Sequence, residues 1–169
     1  MTCTGVRAAA PADVPALFAL FNDAYQAESG DTAPCFKSTP RFLAPDELLP
    51  RLAGGGVLAA EAGGALVGAL AFDLVRDARG VLRAHFGPFA TARAARGGGV
   101  GSALLAALRA RAAAAGAASL DAEVVHLRVD ILPMYFALGF RVVGAADFPA
   151  PERCTRDAHF VLIRRAVDE

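Results

Sequence analysis

Residues 96–116 read RGGGVGSALLAALRARAAAAG. Glycine fills positions 97, 98, 99 and 101, and behind them runs a stretch of alanine, leucine and arginine, all strong helix formers. Small residues at a strand-to-helix junction let several backbone N–H groups turn inward at the positive end of the helix dipole, which suits phosphate oxygens. A flexible connector in a chain rich in alanine and glycine has the same composition, so the glycines alone leave both readings open. Two nucleotide motifs are excluded. A P-loop needs GxxxxGK[ST] and no lysine follows here, while Gly97-x-Gly99-x-x-Ser102 stands in the wrong half of the chain for a dinucleotide fingerprint.

Reading outward from the stretch gives it a context. Val100 to Ala115 predicts a helix with Leu104, Leu105 and Leu108 on one side and Arg109 and Arg111 on the other, ended by Gly116. Upstream, VLRAHFGPFAT (81–91) reads as a strand that must bend or splay, because Pro88 has no N–H for the ladder. Before it, VLAAEAGGALVGALAFDLVRD (57–77) predicts a hairpin about Gly63-Gly64. PADVPALFALFNDAYQAE (11–28) predicts an amphipathic helix burying Val14, Leu17, Phe18, Phe21 and Tyr25, SGDTAPCFKSTPRF (29–42) a loop, and APDELLPRLAGGG (44–56) a short helix stopped by glycines. Downstream come a strand at ASLDAEVVHL (118–127), a short helix at VDILPMYFALG (129–139) and strands at FRVVGA (140–145) and AHFVLIRRAV (158–167). Helices, then a hairpin, then a strand–helix–strand unit predict a mixed α+β fold with helices on both faces of the sheet.

Composition bounds the function. The 169 residues suit a single domain, 1–169, and the 55% apolar and 20% charged content is that of a soluble globular protein. Seventeen acids balance seventeen bases, so no net field favours nucleic acid or an anionic membrane. Three cysteines with no CxxC pair suggest neither zinc nor redox chemistry and fit a reduced cytosol, and no apolar run reaches the roughly 18–20 residues that span a bilayer. The expectation is therefore a cytoplasmic protein with no nucleic-acid partner, no membrane and no metal.

Arg96-Gly97-Gly98-Gly99-Val100-Gly101 matches the [Q/R]-x-x-G-x-[G/A] loop of the GNAT superfamily of N-acetyltransferases. HFGPFAT (85–91) stands where that superfamily has its splayed fourth strand, YFALGF (135–140) resembles its Y-x-x-L-G-F signature, and residues 6–25 resemble its first strand and helix. The resemblance implies a central mixed, mostly antiparallel sheet of about six to seven strands. It also implies acetyl-CoA as co-substrate, its pyrophosphate on the amides of Arg96, Gly97, Gly98, Gly99, Val100, Gly101 and Ser102 and its acyl arm along the backbone of Phe89, Ala90 and Thr91. Two positions depart from the family pattern. The third loop position, often a cation, is Gly98, and the strand ends in Thr91-Ala92-Arg93 rather than a valine, an acid and a proline.

By the same resemblance an amine attacks the thioester directly in a ternary complex. Tyr135 occupies the general-acid position, where a phenol with a reference pKa of about 10 can protonate a thiolate of about 8.5. His85 holds the place where several members carry a basic carboxylate, with Glu123 and His126 as reserves; a neutral imidazole is a competent base near pH 7. Arg128 stands seven residues before Tyr135, where it either steadies the cofactor, anchors an acidic acceptor group or pairs with Asp130. The acceptor pocket is expected near Tyr25, Glu28, Asp73, His126 and His159. The acceptor is a small-molecule or peptide amine. An acyl-CoA sensor without turnover and an acetyltransferase of protein N-termini are the alternatives, and a homodimer fits the habit of the superfamily.

Overall fold

The computed structural model describes residues 5–26 and 40–168. Seven strands, β1 (Gly5–Ala8), β2 (Val57–Ala62), β3 (Ala65–Arg76), β4 (Leu82–Thr91), β5 (Ser119–Val125), β6 (Arg141–Asp147) and β7 (His159–Ala166), form one sheet in the order β1-β2-β3-β4-β5-β7-β6. The sheet is mixed and mostly antiparallel, with β4 and β5 parallel, and α1 (Val14–Gln26), α2 (Leu49–Ala53), α3 (Val100–Ala114) and α4 (Leu132–Ala137) complete an α+β fold. The described residues divide into two compact units, one drawn from residues 5–26, 40–73 and 86–111, the other from residues 74–85 and 112–168.

In the first unit, the chain enters α1 through a 3-10 turn at Pro11–Asp13, whose Asp13 carboxylate accepts the Ala10 N–H at 2.7 Å. Arg7 reaches Asp13 at 2.7 Å and Glu61 at 2.6 Å and so ties β1, this turn and β2 together. The buried face of α1 is Val14, Leu17, Leu20, Phe21 and Ala24, whereas Phe18 and Tyr25 are half-buried at its margin, so the true stripe is rotated slightly from the expected one. That stripe packs with Phe42, Leu48 and Leu52 against Val57, Ala69 and Ala71. Asn22, a polar residue beside the stripe, accepts the Phe42 N–H at 2.9 Å and donates to its carbonyl at 3.0 Å, pinning the chain ahead of α2.

Ala69 and Ala71 face α1, and alternation along β3 turns Gly68 to the other side. A Cβ placed on Gly68 would lie 2.5 Å from Val100 Cγ1, 3.0 Å from Leu104 Cδ1 and 3.4 Å from the Ala90 carbonyl oxygen. The first turn of α3 therefore rests on bare backbone, an approach only glycine permits.

The second unit is built on β5. Leu120, Ala122 and Val124 are buried while Asp121 and Glu123 face outward, and β7 runs antiparallel beside it from Ser119↔Ala166 to Val125↔Phe160. The parallel pairing to β4 covers Arg83↔Ser119, Ala84↔Leu120 and His85↔Asp121, and Gly87-Pro88 follows two residues beyond its end. Among the described residues no helix is long and apolar enough to cross a membrane.

Candidate functional site

The glycine stretch is a strand-to-helix junction. After β4, a 3-10 turn at Arg93–Ala95 leads into the loop, and α3 opens at Val100. Gly97 and Gly99 hold φ of +76° and +78°, a backbone conformation that other residues resist, and this is what folds the loop back on itself. The first i→i−4 bond of α3 runs from the Ala103 N–H to the Gly99 carbonyl at 2.9 Å. The amides of Val100, Gly101 and Ser102 thus precede the hydrogen-bonded turns and lie at the positive pole of a helix of 15 residues. Arg111 sits in the last turn, where a cation suits the negative pole.

The end of β4 borders this helix start. A Cβ on Gly101 would meet the Phe89 ring at 3.2 Å and Thr91 Oγ1 at 4.0 Å, so the small residue admits the strand residues expected to line the acyl arm. The Ala92 N–H bonds the Val67 carbonyl at 2.8 Å and fixes the strand terminus to β3. At the Gly87-Pro88 bend, Arg51 of α2 places Nη1 3.4 Å from the Gly87 carbonyl oxygen and 3.2 Å from the Asp73 carboxylate. Sequence reading missed Arg51, whose partners lie 22 and 36 residues away, and took Asp73 for an acceptor-site acid without its cation. Arg96 is exposed at the mouth of the loop. Tyr25 lies half-buried under the Arg41 guanidinium, 5.9 Å from its ring centroid, and Glu28 lies outside the described residues.

The second unit carries the titratable candidates. His85 Nε2 is 3.8 Å from Glu123 Oε1, close enough to feel the charge and too far for a hydrogen bond, and each side chain is about two-fifths exposed and so open to water. Both line a groove of about 150 Å³ with Asp121, Val143, Leu162 and Arg164. Beside them Asp121 accepts from Arg164 at 2.5 Å and from Ser119 Oγ at 2.6 Å, and Arg83 reaches Ser119 at 2.9 Å. Burial pushes the Asp121 carboxyl up, but the hydrogen bonds from Arg164 and Ser119 and the charges of Arg164 and Arg83 outweigh it and leave it below the ordinary carboxylate range. Its proton is gone at neutral pH, which makes it a fixed structural charge.

His126 and His159 stack face to face, 3.9 Å between centroids and 5° between planes. The His159 N–H points at His126 Nδ1 at 3.1 Å, and the same nitrogen lies 3.4 Å from the His159 carbonyl oxygen. A base role for His126 through Nδ1 would break the first of these contacts. Arg128 forks onto Asp130 at 2.9 and 3.0 Å, the ion pair that the sequence offered as one of its three readings. Tyr135 is buried on α4, edge-on to Phe140 at 5.4 Å. Among the described residues no three His, Cys, Asp or Glu side chains converge as a metal site.

The mixed sheet with its parallel β4–β5 pair, and the glycine loop opening α3 after a bent strand, define an acyltransferase fold. The solved structures bear this out. A ribosomal-protein-alanine N-acetyltransferase from Brucella melitensis is 25% identical, with a TM-score of 0.75 over 96% of this chain and 99% of that one. A GCN5-related N-acetyltransferase from Kribbella flavida is 24% identical, with a TM-score of 0.74 over 96% of each chain. A phosphinothricin acetyltransferase from Sinorhizobium meliloti, solved in complex with AcCoA, is 21% identical, with a TM-score of 0.74 over 98% of this chain and 89% of that one. No curated protein matches the sequence. A sequence profile of the acetyltransferase (GNAT) family matches residues 15–140, and the chain belongs to that family.

Proposed function

We propose that the protein is an acetyl-CoA-dependent N-acetyltransferase that transfers the acetyl group to a primary amine by direct attack. The observation that carries this reading is the loop 96–102, whose left-handed glycines and unbonded helix-start amides form an anion cradle at the end of a bent strand. The residues present fit a pyrophosphate: small, main-chain donors in place of bulky side chains, with Gly101 leaving room beside Phe89 and Thr91. Bound acetyl-CoA supplies the activated acyl thioester.

Each part of the chain then has a task. The amides of Gly97 and of Gly99 to Ser102 take the pyrophosphate oxygens, with Arg96 adding charge at the mouth, while the Gly98 N–H is held by the Ala95 carbonyl at 3.2 Å and the Arg96 N–H by the Arg93 carbonyl at 3.3 Å. The backbone of Phe89, Ala90 and Thr91 orients the acyl arm and polarises its carbonyl. His85, directly or through water, takes the proton of the attacking ammonium, with the Glu123 carboxylate stabilising the imidazolium that forms. Tyr135 gives its phenolic proton to the departing thiolate. Arg128, clamped by Asp130, is a positioning residue at the approach to α4.

A peptide N-terminus as acceptor draws support from the Brucella neighbour, a ribosomal-protein-alanine N-acetyltransferase by name. The decisive experiment titrates acetyl-CoA into the protein and into Gly99→Glu, then follows CoA release with alanine-terminal peptides and small amines in parallel. Wild type binds, and Gly99→Glu, which strains the left-handed loop position and sets a carboxylate against the pyrophosphate, loses affinity by at least about 100-fold while its circular dichroism is unchanged. Retained affinity removes the phosphate-cradle reading. Tight binding without turnover on any amine favours a sensor instead.

A further inference from the structure

The strand pairings set Arg141 on β6, Arg164 on β7, Asp121 on β5 and His85 on β4 in one row, each the direct partner of the next. Direct partners on neighbouring strands share a face of the sheet and stand about 5 Å apart. His85, Asp121 and Arg164 line the same groove, and so does Glu123, two residues along β5 from Asp121. Two carboxylates and one guanidinium therefore bear on the His85 imidazole, with Arg141 one strand further away.

Acids and arginines on these strands are matched, with one exception. Asp121 accepts from Arg164 Nε at 3.0 Å and from its Nη2 at 2.5 Å, and Asp77 pairs with Arg83 at 2.8 Å. On β3, the other neighbour of β4, Asp73 is held by Arg51 at 3.2 Å and Arg76 donates to the Gly80 carbonyl at 2.8 Å. Glu123 has no arginine among the described residues; its ionisable partner is His85 at 3.8 Å. One carboxylate beside an imidazole steadies the imidazolium that forms when a base takes a proton. Two uncompensated ones would hold the proton there to higher pH and leave less of the neutral form that accepts it. We propose that Arg164 is a positioning residue for the reaction: by holding Asp121 in an ion pair it cancels that carboxylate's pull on His85 and leaves Glu123 as the one carboxylate in the groove that acts on the base. The inference rests on the role proposed above for His85.

Opposed charge changes separate this role from that of a merely structural ion pair. The titration of His85 is followed by NMR of its ring protons in the protein alone, the signal being assigned by its absence in His85→Ala, and circular dichroism checks that each variant is folded. Arg164→Gln leaves Asp121 uncompensated and should raise the pH at which His85 loses its proton by about half a unit, the size expected for one charge about 5 Å away in water. Asp121→Asn leaves Arg164 uncompensated and should lower that pH. Arg164→Lys should keep it, and Asp121→Asn combined with Arg164→Gln should return it to the wild-type value. The pH–rate profile, measured in parallel, should move in the same directions. Single substitutions that leave the His85 titration in place, or displace it the same way, overturn the proposal, as does a double variant displaced as far as either single one. A titration that moves as stated beside a fixed pH–rate profile overturns it differently: the charge balance stands, but His85 is not the base on which it acts.

Discussion

At the scale of single residues, chemistry is shared between groups of different burial. Tyr135 is buried against Phe140, while His85 is partly exposed beside Glu123. The two roles proposed for them leave different signatures in one pH–rate series. Tyr135→Phe should lower turnover by about 10²-fold at saturating acetyl-CoA with little change in its affinity, since the hydroxyl acts on the leaving group. His85→Ala should change the pH dependence of the rate, because a base works only in its neutral form. An unaltered rate in the first variant or an unaltered profile in the second ends the corresponding assignment. The assignments of Tyr135 and His85 come from motif spacing in the sequence alone. Arg51 and Asn22 were not legible there: each works through backbone groups and side chains 20 to 36 residues away, and no local pattern announces such a partner.

Among the elements, α3 matters most, and its placement depends on a residue in another element. The helix itself was readable from its leucines, and Leu104, Leu105 and Leu108 are buried as the periodicity requires. Gly68 was not readable, because a glycine within an apolar strand of a glycine-rich chain carries no mark of the helix that lies on it. Gly68→Ala would put a methyl 2.5 Å from the stiff Val100 side chain. Overpacking of this kind costs about 1–3 kcal/mol, and because Val100 opens the helix, the displaced first turn should also weaken acetyl-CoA binding. Denaturant unfolding and calorimetric titration check the two effects, and adding Val100→Ala should recover part of each. A fully stable Gly68→Ala with wild-type affinity would show that the helix can shift freely. The face of α1 was legible only approximately: Leu20 and Ala24 displace Phe18 and Tyr25 because the final rotation of a helix is chosen by the partners it packs on.

Over the whole molecule, strand order and stability follow from pairings far apart in sequence. The hairpin at Gly63-Gly64 and the strand–helix–strand unit were visible locally, but the insertion of β7 between β5 and β6 joins residues that no window contains, and the His126–His159 stack and the exposed β6 edge come from that insertion. Three carboxylates are also held by arginines, Asp13 and Asp77 by partners 6 residues away and Asp121 by one 43 residues away. Asp13 is held below the ordinary range by its hydrogen bonds from Arg7, and Asp77 by those from Arg83; Asp121 follows them despite its burial. A carboxyl depressed in the folded state contributes stability that is complete above its unfolded pKa of about 4 and lost as pH falls through the lower folded value. The urea midpoint should therefore hold from pH 7 to about 5 and fall below about 4. Asp121→Asn should lower it at neutrality and flatten the acid decline; a wild-type curve level down to pH 2 would contradict this linkage. The cradle at the start of α3 follows a different electrostatic logic, since its donors are main-chain amides and the chain as a whole is neutral. On the reading proposed above, its attraction for phosphate is confined to the reach of a few N–H dipoles, which suits a small phosphate-bearing ligand at contact and adds no long-range field.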